Sequence, residues 1–248
     1  MINMRHVRFL IGSTAVALAL TVLALGGGAE SGNQNANNHV YPPDAKPFGM
    51  TYGEWSGVWW QWALSIPAQV TPFLDLDGAQ CGTLQSGPVW FLAGTSGPLS
   101  SVTRTCSIPS GRAILIPIMN FLNDYPCPEP PKFQPAPGQS IEAFLAQGAA
   151  AITDQIDVLE ADLDGVPVVN LRAFRARSPL VGFTAAANLN RPDLDPCITG
   201  SPQLGVADGY WLLLKPLSNG NHTLHIKGAI SSSSITTEAT YHLTVGGH

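Results

Sequence analysis

Apolar residues recur at two different spacings along this chain, and the change of period divides it. Between Thr51 and Pro67, Trp55, Val58, Trp59, Trp62 and Ile66 fall at helical spacing. Thr51 followed by Glu54 is a capping box, which satisfies amides that a helix start leaves unbonded. Pro67 ends the run. As a strand, the same stretch would bury Trp60 and Trp62 but expose Trp55 and Trp59, so a helix is predicted. From Gly87 the period shortens. Pro88–Ala93, Val102–Ile108 and Arg112–Met119 read as strands, separated by turns at Gly94–Ser100 and Pro109–Gly111. The near-continuous apolar run of the third strand predicts burial on both faces, and Pro117 then requires a bulge or an edge.

Residues 120–140 read as a long loop. A second helix is predicted from Ile141 to about Asp154, with Ile141, Phe144, Leu145 and Ile152 on one face. Val158–Asp162 and Val166–Leu171 flank Asp164-Gly165, the dipeptide that hairpin twist prefers. Residues 176–207 read as loop. Tyr210–Leu214 and His222–Ile230 are predicted to form a hairpin, with Thr236–Val245 returning along it. Burying Leu224 and Ile226 together with Tyr241 and Leu243 places His225, Lys227, Glu238, Thr240 and His242 on the opposite face.

The first thirty residues change the compartment. Arg5 and Arg8 precede an uncharged apolar run from Phe9 to Leu25, and Gly27-Gly-Ala29 supplies small residues for cleavage. Residues 1–29 are predicted to be a signal peptide, an uncleaved N-terminal anchor being the alternative. Residues 30–50 read as a flexible leader, and 51–248 as one domain. Removing Arg5 and Arg8 from the 12 basic residues leaves 10 against 17 acidic ones, a net charge of −7. That disfavours a nucleic-acid partner, which needs clustered positive charge. With 12% charged residues, 25 Gly and 21 Pro, the composition is that of a turn-rich exported β protein. The fold expected is mainly β: a single disulfide-stapled β-sandwich, jelly-roll or immunoglobulin-like, with two accessory helices. It is secreted, periplasmic or on the cell surface, with no membrane span after cleavage.

Cys81, Cys106, Cys127 and Cys197 make an even set in an exported chain, so two disulfides are expected. Of the three pairings, Cys81–Cys106 and Cys127–Cys197 are preferred: the first two flank a predicted hairpin, and the last two lie in Pro-rich loops. No close C-x-x-C spacing points to a metal, and no cofactor is expected.

Candidate chemistry is sparse. The chain has no G-x-S-x-G elbow, H-E-x-x-H, Walker loop or G-x-G-x-x-G fingerprint. Asp75-Leu-Asp-Gly78 and Asp162-Leu-Asp-Gly165 repeat one tetrapeptide, readable as a turn or as part of a calcium loop. His225, His242 and Glu238 read either as a metal-holding trio or as an ordinary strand face with a Lys227–Glu238 pair. Asn221-His-Thr223 is a glycosylation sequon, relevant in a eukaryotic secretory path.

Four of the six tryptophans lie between Trp55 and Trp62. Trp55, Trp59 and Trp62 form a core stripe, while Trp60 falls off it and is the ring expected to reach a surface. Gln61, Glu54 and Tyr52 are its candidate polar neighbours in a ligand site. Asn120, Asn123 and Asp124, at the end of the third strand, are candidates for lining a polar cleft.

Tyr52-Gly-Glu-Trp-Ser56, Trp59-Trp-Gln-Trp62 with Ser65-Ile-Pro67, Ser86–Thr95 and Cys106–Gly111 resemble an uncharacterised family of secreted, mostly bacterial proteins. The likeness continues through Leu163–Val168 and Gly209–Gly228. It implies export and one β-rich domain, and it carries over no catalytic residue. The function expected is therefore binding of a carbohydrate, another extracellular polymer or an envelope component. A secreted hydrolase and a structural surface protein are the rivals.

Overall fold

Two kinds of burial pattern separate the strands into two sheets. In the computed structural model, which describes residues 37–95, 99–127, 133–189 and 197–246, the chain runs α1 (Tyr52–Ser65), β1 (Val89–Phe91), β2 (Val102–Pro109) and β3 (Ala113–Tyr125). Then follow α2 (Ile141–Thr153), β4 (Val158–Leu163), β5 (Val166–Pro167), β6 (Arg175–Arg177) and β7 (Val181–Thr184). The C-terminal third supplies β8 (Pro202–Leu214), β9 (Gly220–Ile230) and β10 (Ile235–Gly246). One five-stranded sheet is ordered β1-β3-β8-β6, with β7 also on β8; the other is β2-β10-β9-β4-β5. The fold is thus mainly β, sandwich-like, and carries two helices.

The first sheet is covered on both sides. Tyr210 and Trp211 are consecutive and so point to opposite faces. Trp211 meets Trp59 of α1 at 5.4 Å between rings. Tyr210 pairs with Met119, and Met119 lies against the β9 backbone at Gly228. Asn123, on the Met119 side further along β3, donates to the Leu145 carbonyl of α2. One face therefore carries α1, while the other is shared by the second sheet and α2. This two-sided cover is why Ala113–Met119 and Gly205–Leu214 are buried without alternation. The expected irregularity at Pro117 is present as a register shift between Pro117 and Met119.

In the second sheet burial alternates, because one face meets solvent. β2 buries Val102, Arg104, Cys106 and Ile108 and exposes Thr103, Thr105 and Ser107. Leu224 pairs with Tyr241 and His225 with Thr240, the register set by the apolar pattern. Arg104 is 1% exposed on the inner face. Its guanidinium donates to the carbonyls of Asp75, Ala93 and Gly94 and to the Tyr241 hydroxyl, tying two loops to the sheet.

Both disulfides pair as preferred, Cys81–Cys106 with Cα atoms 6.0 Å apart and Cys127–Cys197 at 4.5 Å. The hairpin expected between Cys81 and Cys106 is absent, however. β1 pairs with β3 and β2 with β10, both in parallel, so consecutive strands lie in different sheets. The predicted β8–β9 hairpin is also absent: β8 pairs with β3, β6 and β7, and β9 with β10 and β4. In the second case a strand buried on both faces, β8, is followed by one that alternates, β9, and the two patterns belong to different layers; β1 is an edge strand with Trp90 only half-buried.

Described residues of three segments that read as loop or leader form strands or backbone bonds. β3 continues through polar Asn120–Asp124 because each residue has a β8 partner. Residues 176–207 hold β7 and the first half of β8, whose Gly and Pro content hides the strand pattern. Within the leader, Val40 bridges Leu214, and Asn37 exchanges two hydrogen bonds with the Val169 backbone. The signal segment and residues 30–36 lie outside the described residues.

Candidate binding site

The helix that carries most of the predicted site is built as its sequence dictates. Thr51 Oγ1 accepts the Glu54 amide at 3.2 Å, and Glu54 Oε2 accepts the Thr51 amide at 2.7 Å. The Thr51 amide and the Thr51 hydroxyl both donate to Glu54 Oε2 and hold the Glu54 carboxyl below its ordinary pKa. Glu54 is therefore occupied as a cap. The stripe tryptophans are buried, and each indole N–H donates to a different segment: Trp55 to Pro47, Trp59 to Leu92 and Trp62 to Thr83. Tyr52 is 3% exposed. Its hydroxyl donates to the Tyr41 carbonyl and accepts the Leu213 amide. Burial raises its pKa despite the Leu213 bond. Tyr52 and the three tryptophans fasten α1 to the sheet and present no surface to a ligand.

Trp60 is the half-buried ring of the four. It stands edge-on to Trp59 at 5.2 Å and tilted against Phe73 at 6.0 Å, and its buried Nε1 has no hydrogen-bond partner. Asn123 is used by α2, and Asn120 lies opposite Gly209 with its Oδ1 buried and unpartnered. These residues do not converge on one cleft.

A groove does open, at the far end of the first sheet. Its volume is about 620 Å³, and it is lined by Tyr125 and Pro126 after β3, by Gly182, Phe183 and Thr184 of β7, and by Pro202, Gln203 and Leu204 of β8. Tyr125, Leu204 and Gly182 stand in one cross-strand row. Gly182 contributes only backbone, and a Cβ added there would meet no atom within 4 Å. The row is thus a half-buried phenol ring, an exposed leucine and a gap. Gln203 is 3% exposed and fixes the rim. Its Nε2 donates to Asp124 Oδ2 at 2.7 Å and to the carbonyls of Pro126 and Cys197. Of the sequence candidates, Gln61 reaches this groove, donating to the Gly182 carbonyl at 2.8 Å, and Asp124 accepts from the rim residue Gln203.

Elsewhere, Asp75 spends its carboxylate on the amides of Asp77, Gly78 and Gln80, the turn reading of that tetrapeptide. The second copy is the β4–β5 turn, with Asp164 and Gly165 both at positive φ. His225 lies between Asp162 at 3.2 Å and Glu238 at 3.0 Å, one carboxylate on each ring nitrogen. The expected Lys227–Glu238 pair is opposed in register, but the Glu238 carboxylate turns to His225. His242 stands across from Thr223, outside that cluster. Among the described residues no three His, Cys, Asp or Glu side chains are grouped to hold a metal ion.

No family model, curated protein or solved structure matches this chain. The chemistry of the groove therefore rests on its own geometry. The sequence hides it because β7 is four residues long and β8 begins at a proline, so residues 176–207 read as loop. The one signal present was the polar end of β3.

Proposed function

We propose that the protein is exported and binds an extracellular carbohydrate polymer in the groove between Tyr125, Leu204 and Gly182. The observation that carries this reading is the groove's mixed lining. An aromatic ring and a leucine offer an apolar floor beside an open glycine, and the Thr184 side chain and peptide groups supply polar edges. Ligands with one apolar face and a hydroxyl-rich rim fit such a surface. Export is supported by the two disulfides, which persist in oxidising compartments. No helix among the described residues is long and apolar enough to cross a membrane.

Gly182 provides a clean test, because its Cβ position is open, so a side chain introduced there enters the groove without a clash at its base. On a glycan array and in pull-downs on cell-wall polysaccharides, wild type should bind. Gly182→Phe and Tyr125→Ala should each lose about tenfold or more in affinity. A blank for wild type across both assays overturns the binding reading. Undiminished binding by Gly182→Phe overturns the location.

A further inference from the structure

The connection that carries the chain from β8 in one sheet to β9 in the other, residues 215–219, sets a serine against a histidine and an aspartate. It lies beyond the C-terminal end of β8, whereas the groove lies at the N-terminal end of that strand, so the two sites are separate. His222 Nδ1 lies 2.7 Å from Asp164 Oδ2, and its Nε2 lies 3.3 Å from Ser218 Oγ. Asp164 is itself held in place. Its Oδ1 accepts the Thr223 amide at 2.8 Å, and its own amide donates to the Thr223 carbonyl. A hydroxyl, an imidazole and a carboxylate in that sequence are the arrangement that activates a serine, and it is defined by geometry rather than by chain order. Ser218 is exposed, while the His222 side chain is only 13% exposed, as a shielded base should be.

We propose that Ser218, His222 and Asp164 form a hydrolytic site for carboxylic esters reaching it from solvent. Ser218 Oγ attacks the ester carbonyl carbon and passes its proton to His222 Nε2. The tetrahedral adduct collapses, the C–O bond to the alcohol breaks, and the alcohol leaves with the proton from His222. Water then attacks the Ser218 ester with the same base assistance, releasing the acid and restoring the hydroxyl. Ser218 and His222 are the catalytic residues; Asp164 is a positioning residue that keeps the proton on Nδ1 and leaves the Nε2 lone pair for the serine.

A second contact sets the pH dependence. His222 Nε2 also lies 3.0 Å from the Ser218 carbonyl oxygen, so the doubly protonated ring donates there and to Asp164 at once. Burial works against that cation, but the Asp164 and Ser218 hydrogen bonds and the Asp164 charge outweigh it, and the His222 pKa is raised. Among the described residues, the titratable group that acts on the pair from outside it is His39, through Asp164. The protonated ring holds the resting form, and loss of its Nε2 proton frees the base.

The test uses the purified exported protein with p-nitrophenyl acetate and a fluorophosphonate probe, between about pH 6 and pH 9, followed by peptide mapping. The probe should mark the peptide bearing Ser218. Turnover should rise with pH through an imidazole titration above the ordinary value of 6.5. Ser218→Ala, at an exposed position that should leave the melting temperature unchanged, should remove labelling and lower turnover by about 10²-fold or more. Asp164→Asn should lower turnover and flatten the pH profile. Labelling confined to another serine, or turnover equal in wild type and Ser218→Ala across the whole pH range, overturns the proposal.

Discussion

The two sheets use the same secondary structure under opposite conditions. The central strands of the first have no solvent face, so their sequence loses alternation and every residue is answerable to packing. The second sheet shows solvent a face of threonines, histidines and paired charges, and half of each strand escapes that constraint. Reading strand pairing from order along the chain fails where the chain passes between these layers. Reading it from burial period succeeds, as in the β9–β10 register. At β2–β3 and at β8–β9 a change in period between consecutive strands coincides with a crossing from one layer to the other, whereas β7 alternates and still pairs with β8 within one sheet.

The sharpest way to break this contrast is at Trp59, fully buried where α1 meets Trp211. Trp59→Ala should cost roughly 3–5 kcal/mol, read as a loss of denaturation midpoint, because it removes both ring packing and the bond to Leu92. His242→Ala on the open face of the second sheet should stay within about 0.5 kcal/mol in the same assay. Equal losses at the two positions would erase the distinction. Gly78→Ala should follow Trp59 in size, at roughly 1–3 kcal/mol. Gly78 has φ +97 and a Cβ there would strike the Thr105 backbone of β2. Next comes the helix start: Thr51→Ala removes the cap and should cost about 1 kcal/mol by chemical denaturation.

The smallest effect is electrostatic. Burial alone would raise the Asp164 pKa, but its bonds to His222 and the Thr223 amide lower it, while that of His222 is raised. The Asp164 contribution to stability is complete above the ordinary carboxylate value of 3.8 and fades as pH falls through its lowered value. The His222 contribution is complete below 6.5 and fades as pH rises through its raised value. Melting temperature should therefore peak between those limits, with Asp164→Asn flattening the peak. Because Asp164 is 46% exposed, the pair contributes less than about 1 kcal/mol.

Much of this architecture was legible in the chain. The capping box of α1, the twin-faced burial of β3 with its irregularity at Pro117, and the Asp164-Gly165 turn follow from local chemistry that needs no distant partner. The groove was not legible, because β7 is four residues long and β8 begins at a proline. Such segments become strands only through their neighbours. The serine, histidine and aspartate of the β8–β9 connection were equally hidden. Fifty-eight residues separate Asp164 from His222, and only the pairing of β4 with β9 brings them together.

The two disulfides follow one another along the chain without overlapping, so they close two covalent rings in tandem. A protease that cuts between Cys127 and Cys197 opens a ring instead of severing the molecule. The fragments would stay in one piece, with the sheet pairings between them intact, and would part only when the bridge is reduced and the fold undone.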